Sequence, residues 1–228
     1  MKFEGFIKPH GIQDYSFFFG TQEAVDWYLP LKPYTKLEYE WVVQNVSLNN
    51  QRVIDAGCHH GNYAVVLAGM GCHLSCVDPF MHNIRLAQRN LEMNNLSASM
   101  VWGAVAEKKG MRKFEYRSNG RLSDNGTVEV EAYSLWDIDQ YANVVKLDVE
   151  GAEFEILPGA ITDMKHCHTW IIEVHPQYGN PDSIARYFMD SSHCFDELFW
   201  INRDTLEVEP YKIGAQWKTQ ATIIARRK

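Results

Sequence analysis

The sequence predicts an α/β fold: a doubly wound, mostly parallel seven-stranded sheet covered by helices on both faces, with an N-terminal helical cap and a β-hairpin insertion. Three observations predict it. From residue 51 onward, short β-branched runs alternate with stretches at helical spacing. The first run closes in a glycine-bounded turn that opens a helix. The fourth and fifth runs, Val144–Val149 and Trp170–Val174, are largely apolar but end in charged residues. Strands of an open α/β sheet are apolar on both faces and present their carboxyl ends to a ligand crevice, so charge belongs at that end.

The elements follow in order. Residues 1–50 are aromatic-rich and broken by Pro9, Gly11, Gly20, Pro30 and Pro33, with helical spacing from Lys36 to Val43; they read as the cap. Tyr15, Phe17, Phe18, Phe19 and Trp27 read as its core rather than as a substrate platform. Val53–Ala56 is the first strand, Gly57–Gly61 a tight turn and Asn62–Ala68 a helix. A strand at His73–Val77 and a helix at Met81–Asn94 follow, the helix keeping Ile84, Ala87 and Leu91 on one face. Ala98–Trp102 is the third strand. Asn119-Gly120 and Asn125-Gly126 mark turns within Arg112–Ala132, which reads as the inserted hairpin. After strand four comes the helix Ala152–Ala160, whose Glu153 and Glu155 suit a positive helix N-terminus. Strand five, a helix at Pro181–Met189 and strands at Glu197–Ile201 and Ala221–Ala225 complete a single domain over 1–228.

Composition narrows the function. The chain is 46% apolar and 22% charged, ordinary for a globular protein. A formal net charge of -7 argues against a nucleic-acid partner, and Arg226-Arg227-Lys228 reads as a solvated tail. Five cysteines without a C-x-x-C pair signal neither disulfides nor zinc, and His166 and His168 lack further ligands at suitable spacing. No membrane span and no leader is read, and a reducing, cytoplasmic location is expected.

The first turn, Asp55-Ala56-Gly57-Cys58-His59-His60-Gly61, is D-x-G-x-x-x-G and not the dinucleotide pattern G-x-G-x-x-G. A pyrophosphate needs the missing glycines for close backbone approach. S-adenosylmethionine carries no phosphate, and its methionine arm can lie over Gly57 and Gly61 while Asp55 accepts from its ammonium. Asp78 ends the second strand about 20 residues beyond the turn, where a carboxylate accepts ribose hydroxyls. The plainer alternative is that Asp55 caps the helix and Asp78 starts a turn before Pro79. Turn histidines such as His59 and His60 are most often simply exposed.

From Arg52 to His175 the chain resembles the FkbM-type family of S-adenosylmethionine-dependent methyltransferases. The resemblance rests on V-I-D-A-G-C-H-H-G-N-Y, on G-A-V-A-E-K-K-G after the third strand, on V-K-L-D-V-E-G-A-E-F-E-I-L-P-G-A and on Glu173-Val174-His175-Pro176. Cys58-His59 stands where the family usually has Ala-Asn. The resemblance implies a Rossmann-like fold of the class I methyltransferase type, S-adenosylmethionine as cofactor and methyl transfer to oxygen on sugars or other hydroxylated small molecules. Its cofactor-binding set here is Asp55, Gly57, Cys58, His59, Gly61, Asp78, Pro79, Ala104, Val105 and Asp148.

Methylating an alcohol calls for a base near the sulfonium. Asp148 and Glu150 end strand four, and Glu173 and His175 end strand five, so they converge on one crevice. His175, poised near neutral pH, is the expected base, with Asp148 orienting it or the acceptor and Lys146 pairing with an acid. A variant makes Asp148, Glu173 and His175 a divalent-metal set chelating a diol, though no metal is assigned. The Pro-Pro-aromatic turn of nucleic-acid amine methylases is absent after strand four. A catalytically silent, cofactor-binding scaffold is the alternative function.

Overall fold

The computed structural model describes residues 4–7, 15–20, 22–29, 31–190, 192, 194–215 and 219–227. Pro9, Gly11, Pro30 and Lys228 lie outside them. The N-terminal region is more than helical: an antiparallel hairpin of β1 (Glu4–Ile7) and β2 (Tyr15–Phe18) precedes α1 (Gln22–Tyr28) and α2 (Pro33–Asn45). Pro33 opens α2, where its missing N–H is not needed. Tyr15, Phe17 and Phe19 are buried as expected, whereas Phe18 carries the Arg89 guanidinium over its ring at 3.7 Å.

The main sheet is built from β3 (Arg52–Ala56), β4 (His73–Asp78), β5 (Ser99–Trp102), β9 (Val144–Leu147), β10 (Thr169–Val174), β11 (Glu197–Asn202), β12 (Glu207–Pro210) and β13 (Ala221–Arg226). Its order is β12-β11-β13-β10-β9-β3-β4-β5. β3, β4, β5, β9 and β10 run parallel, and β13 is antiparallel to both β10 and β11. The sheet therefore has eight strands, not seven. The extra strand, Glu-Val-Glu-Pro, is charged and ends in proline, as suits an edge, and gave no apolar run to read.

Side chains alternate between two cores. Val53 and Val144 face one with Phe17, Tyr39, Val65 and Leu67, under α2, α3 (Asn62–Gly69) and α4 (Met81–Met93). Ile54 and Val145 face the other with Ile156, Trp170 and Phe188, under α5 (Leu135–Asp139), α6 (Glu153–Asp163) and α7 (Pro181–Met189). The expected hairpin, β7 (Gly110–Phe114) against β8 (Val128–Tyr133), is part of a three-stranded sheet, because β6 (Ala104–Val105) pairs parallel with β8. A strand of two residues is too short to show a period.

Strand four is shorter, and the C-terminal strand longer, than the sequence suggests. β9 stops at Leu147: Asp148 N–H still donates to Ala56 O at 3.0 Å, but Glu150 (φ 52°) and Gly151 (φ 104°) then turn the chain away. Arg226 and Arg227 are no solvated tail. Arg226 belongs to β13, pairs with Glu197 and donates to Asn45 O at 2.6 Å, while the Arg227 guanidinium lies 4.4 Å from the Phe195 ring centre.

Candidate active site

A cavity of about 400 Å³ opens at the carboxyl ends of β3, β4, β9 and β10. The cap walls it with Trp27, Tyr28, Tyr34 and Glu38, and the β7–β8 loop with Ser118 to Leu122. Gly57, His59, Asp78, Pro79, Ala104 and Val105 line one end; Lys146, Asp148, Glu150 and Glu173 line the other. Asp55, Cys58, Gly61 and His175 stand behind this wall.

The first end is set by a bare turn. Gly57 has φ 76°, and its N–H and that of Cys58 both donate to Val77 O, at 2.9 and 3.1 Å, tying the turn to β4. A Cβ on Gly57 would meet Asp148 O at 1.7 Å, so the turn and the end of β9 touch. Gly61 (φ 81°) leaves α3 close to α4, where a Cβ would meet Ala87 Cα at 2.9 Å. Cys58 is buried, and Cys76 beside it together with burial raises its thiol well above the usual range.

Asp78 accepts from His59 N–H (3.0 Å), Phe80 N–H (2.8 Å) and Asn83 Nδ2 (3.1 Å). Burial raises its carboxyl to about 7, although these donors pull the other way. Asp55 is fully buried and raised to about 6 by burial, with Lys146 opposing. These residues fit the cofactor: Gly57 gives close backbone approach and Asp78 a carboxylate at the wall.

Neither His59 nor His60 is an exposed turn residue: His59 is partly buried and His60 is buried. His59 Nδ1 hydrogen-bonds Tyr28 Oη, its Nε2 lies 2.8 Å from Ser118 Oγ, and its ring stacks on His60 with centres 3.9 Å apart. Burial, His60 and Lys146 hold its pKa well below the usual value, so it is neutral. It clasps the cap to the β7–β8 loop over the cavity, which sequence spacing gave no means of seeing: Tyr28 and Ser118 are ordinary loop-and-helix residues far apart in the chain.

At the other end Lys146, 5% exposed, places Nζ 3.1 Å from Asp148 Oδ2 and 3.8 Å from Asp55 Oδ1. Burial opposes its charge, but the two carboxylates outweigh it and raise its pKa. Burial likewise works against ionised Asp148, yet Lys146 and His175 leave its carboxyl below the usual range. Glu150 is raised, chiefly by burial, with His175 opposing. Glu173 accepts from Arg203 Nη2 at 2.6 Å, and the Arg203 guanidinium lies over Tyr34 at 4.3 Å.

His175 is 1% exposed. Its backbone N–H donates to Glu153 Oε1 at 2.8 Å and its Nδ1 lies 3.0 Å from the same oxygen; Glu153 Oε2 accepts from Gly151 N–H at 2.8 Å. Its Nε2 faces Glu150 Oε2 at 3.4 Å and Asp148 Oδ1 at 3.8 Å. Burial alone would lower its pKa; Glu153 and Asp148 overcome that and raise it to about 9. Glu153, read from sequence as a helix-end charge, is thus the anchor of His175. The metal-like group of the described residues is Asp148, Glu150 and His175, with Glu150 in the place expected for Glu173.

An open α/β sheet with a bare glycine turn after its first strand, an acid ending the second and acids ending the fourth defines a class I S-adenosylmethionine-dependent methyltransferase. The Methyltransferase FkbM domain matches residues 45–196, more than half of the chain, and the protein belongs to that family. No curated protein matches. Among solved structures, magnesium protoporphyrin IX methyltransferase from Synechocystis with bound S-adenosylmethionine is 14% identical, with a TM-score of 0.51 over 86% of this chain and 79% of that one. A TehB-like S-adenosylmethionine-dependent methyltransferase from Corynebacterium glutamicum is 11% identical, with a TM-score of 0.51 over 91% and 94%. An rRNA methylase from Streptococcus thermophilus is 11% identical, with a TM-score of 0.52 over 84% and 95%. At these identities the likeness concerns the fold alone.

Proposed function

We propose that the protein methylates a hydroxyl group on a small, ring-bearing polar acceptor such as a sugar. The observation that carries this reading is the contact between Gly57 and Asp148: the bare cofactor turn adjoins the carboxylate wall, so methyl donor and acceptor oxygen meet there. Trp27, expected as cap core, lines the same cavity with Tyr34 and Tyr63, and Asp148, Glu150, Glu173 and Glu38 offer acceptors for several hydroxyls. When bound, S-adenosylmethionine supplies an electrophilic methyl group. The net charge of -7 and the acidic wall support a small acceptor over nucleic acid, although one solved structure of similar fold is an rRNA methylase. Three of the five cysteines, Cys58, Cys76 and Cys167, are buried thiols, which supports a reducing compartment.

Each residue has a role in this reading. Lys146 keeps Asp148 ionised, and Asp148 accepts from the acceptor hydroxyl and aligns it. Glu150, whose carboxyl burial raises and which lines the cavity wall, takes the proton. His175 lies behind the wall and holds its proton, so it positions the two carboxylates rather than acting as base. Glu173, tied to Arg203, shapes the far side. Alignment supplies on the order of 7 kcal/mol or more, and the base roughly 10²–10⁴-fold in rate. The test is transfer of labelled methyl to a panel of sugars and other hydroxylated metabolites. Glu150→Gln is expected to lower kcat by roughly 10²-fold or more with cofactor affinity nearly unchanged. Cofactor binding without turnover on any acceptor would turn the reading toward a silent scaffold.

Cofactor affinity carries its own pH signature. Ribose hydroxyls donate, so they require ionised Asp78, whose carboxyl sits at about 7 without ligand. Affinity should therefore fall as pH drops below about 7, approaching tenfold per pH unit, and level off above it. Calorimetric titration between about pH 6 and 8 reads this directly, and Asp78→Asn should be weak and flat across the range. A pH-independent wild type would remove Asp78 from the ribose site.

A further inference from the structure

We propose that Asp148, Glu150 and His175 bind a divalent cation of the Mn²⁺ or Zn²⁺ type at the acceptor end of the cavity, where it would hold vicinal oxygens of the acceptor. The proposal rests on the methyl-transfer reading for its purpose but on separate geometry for its site. Asp148 Oδ1 and Glu150 Oε2 face His175 Nε2 at 3.8 and 3.4 Å, and the three ligand atoms lie within 4.8 Å of one another. Those separations exceed an ordinary N–H···O length of about 3.0 Å. They match ligand pairs around an ion bound at about 2.1 Å, which stand roughly 3.0–4.2 Å apart.

The surrounding groups leave these three atoms for the ion. Asp148 Oδ2 is taken by Lys146 at 3.1 Å, and His175 Nδ1 by Glu153 Oε1 at 3.0 Å. A carboxylate on the far ring nitrogen is the usual support of a metal-bound histidine, because it fixes the ring and points the other nitrogen at the metal. His175 is 1% exposed, so its Nε2 has been carried out of water and aimed between the two carboxylates. Glu150 holds φ 52°, a conformation costly for a residue with a Cβ, and it is the residue whose carboxylate completes the set. Asp148 and Glu150 also line the cavity, so the ion's open positions face the acceptor. A set of two oxygens and one imidazole suits a borderline ion better than Mg²⁺. Glu150 keeps its second oxygen for the acceptor's proton, and with no ion present the proton on His175 fills the same position.

The test is titration of chelator-stripped full-length protein with Mn²⁺, followed by calorimetry and electron paramagnetic resonance, with cofactor binding measured on the same sample. One ion per chain is expected, with nitrogen coupling in the spin-echo spectrum. His175→Gln should abolish that coupling and weaken binding at least tenfold; Glu150→Gln, which keeps the histidine, should weaken binding by a similar factor and decides the matter if His175→Gln does not fold. Folded wild type that binds the cofactor but shows no saturable Mn²⁺ up to millimolar concentration overturns the metal and leaves methyl transfer standing. Mn²⁺ binding indifferent to both variants also overturns it. Loss of cofactor binding in the wild type strikes the methyl-transfer reading instead.

Discussion

Gly57→Ala is expected to cost more than about 4 kcal/mol of stability, or to prevent the cofactor turn from forming. Two penalties coincide. The residue holds φ 76°, which strains any side chain, and the new Cβ would stand 1.7 Å from Asp148 O and 2.8 Å from Asp148 C. The obstacle is backbone, held in turn by Asp148 N–H donating to Ala56 O at 3.0 Å. Relief requires β3 and β9 to part at their carboxyl ends, where the methyl donor and acceptor are proposed to meet. Gly159→Ala is the control: it lies within α6, nothing stands within 4 Å of its Cβ, and alanine favours a helix by about 1 kcal/mol. Urea unfolding of both variants reads the contrast, and a Gly57→Ala protein as stable as wild type would mean that turn and strand end do not touch.

The parallel core was legible because its signal is local. Runs such as Val53-Ile54 and Val144-Val145 are apolar on both faces and bounded by turns, and the helices between them keep their spacing. What escaped were elements without a period of their own. β12 is a charged edge of four residues, β6 is two residues long, and the N-terminal pair joins two four-residue strands that are not adjacent in sequence. The end of β9 was placed two residues late, because Val149 is apolar and nothing in the composition announces that Glu150 adopts a left-handed conformation.

The site was legible as a set of strand ends and illegible as a set of roles. Periodicity puts Lys146, Asp148, Glu173 and His175 at neighbouring strand ends, and the structure brings them together. Which oxygen faces which nitrogen is decided by tertiary partners from elsewhere. Glu153 claims His175, Arg203 claims Glu173, and Tyr28 and Ser118 claim His59. Arg203, Tyr34 and Glu38 lie outside the matched residues 45–196, and all three line the cavity. An acceptor bound as proposed would therefore be selected by the parts of the chain whose sequence pattern says least.

Lys146→Met is expected to destabilise the protein by about 3–5 kcal/mol near pH 8, with a loss that shrinks toward acid. The lysine is 5% exposed and is the cation within reach of two carboxylates. Without it, Asp55, fully buried, has no cation beside it among the described residues and faces Asp148, whose remaining partner charge is His175. The sign follows from Asp55. Its carboxyl is raised to about 6 by burial even with Lys146 opposing, and removing the lysine lifts it further. A carboxyl raised on folding contributes stability present below its unfolded value of about 4, and that stability is lost as pH climbs through the folded value. The variant should thus approach wild type near pH 4–5 and fall behind steadily above about 6. Adding Asp55→Asn removes the stranded charge and should restore much of the loss, because a buried pair replaced on both sides costs far less than one broken on one side. Urea midpoints across pH for the single and double variants separate these cases. If Lys146→Met tracked wild type at every pH, the charge in the middle of β9 would be a spectator, and Asp148 would have to be held ionised by something other than its neighbour.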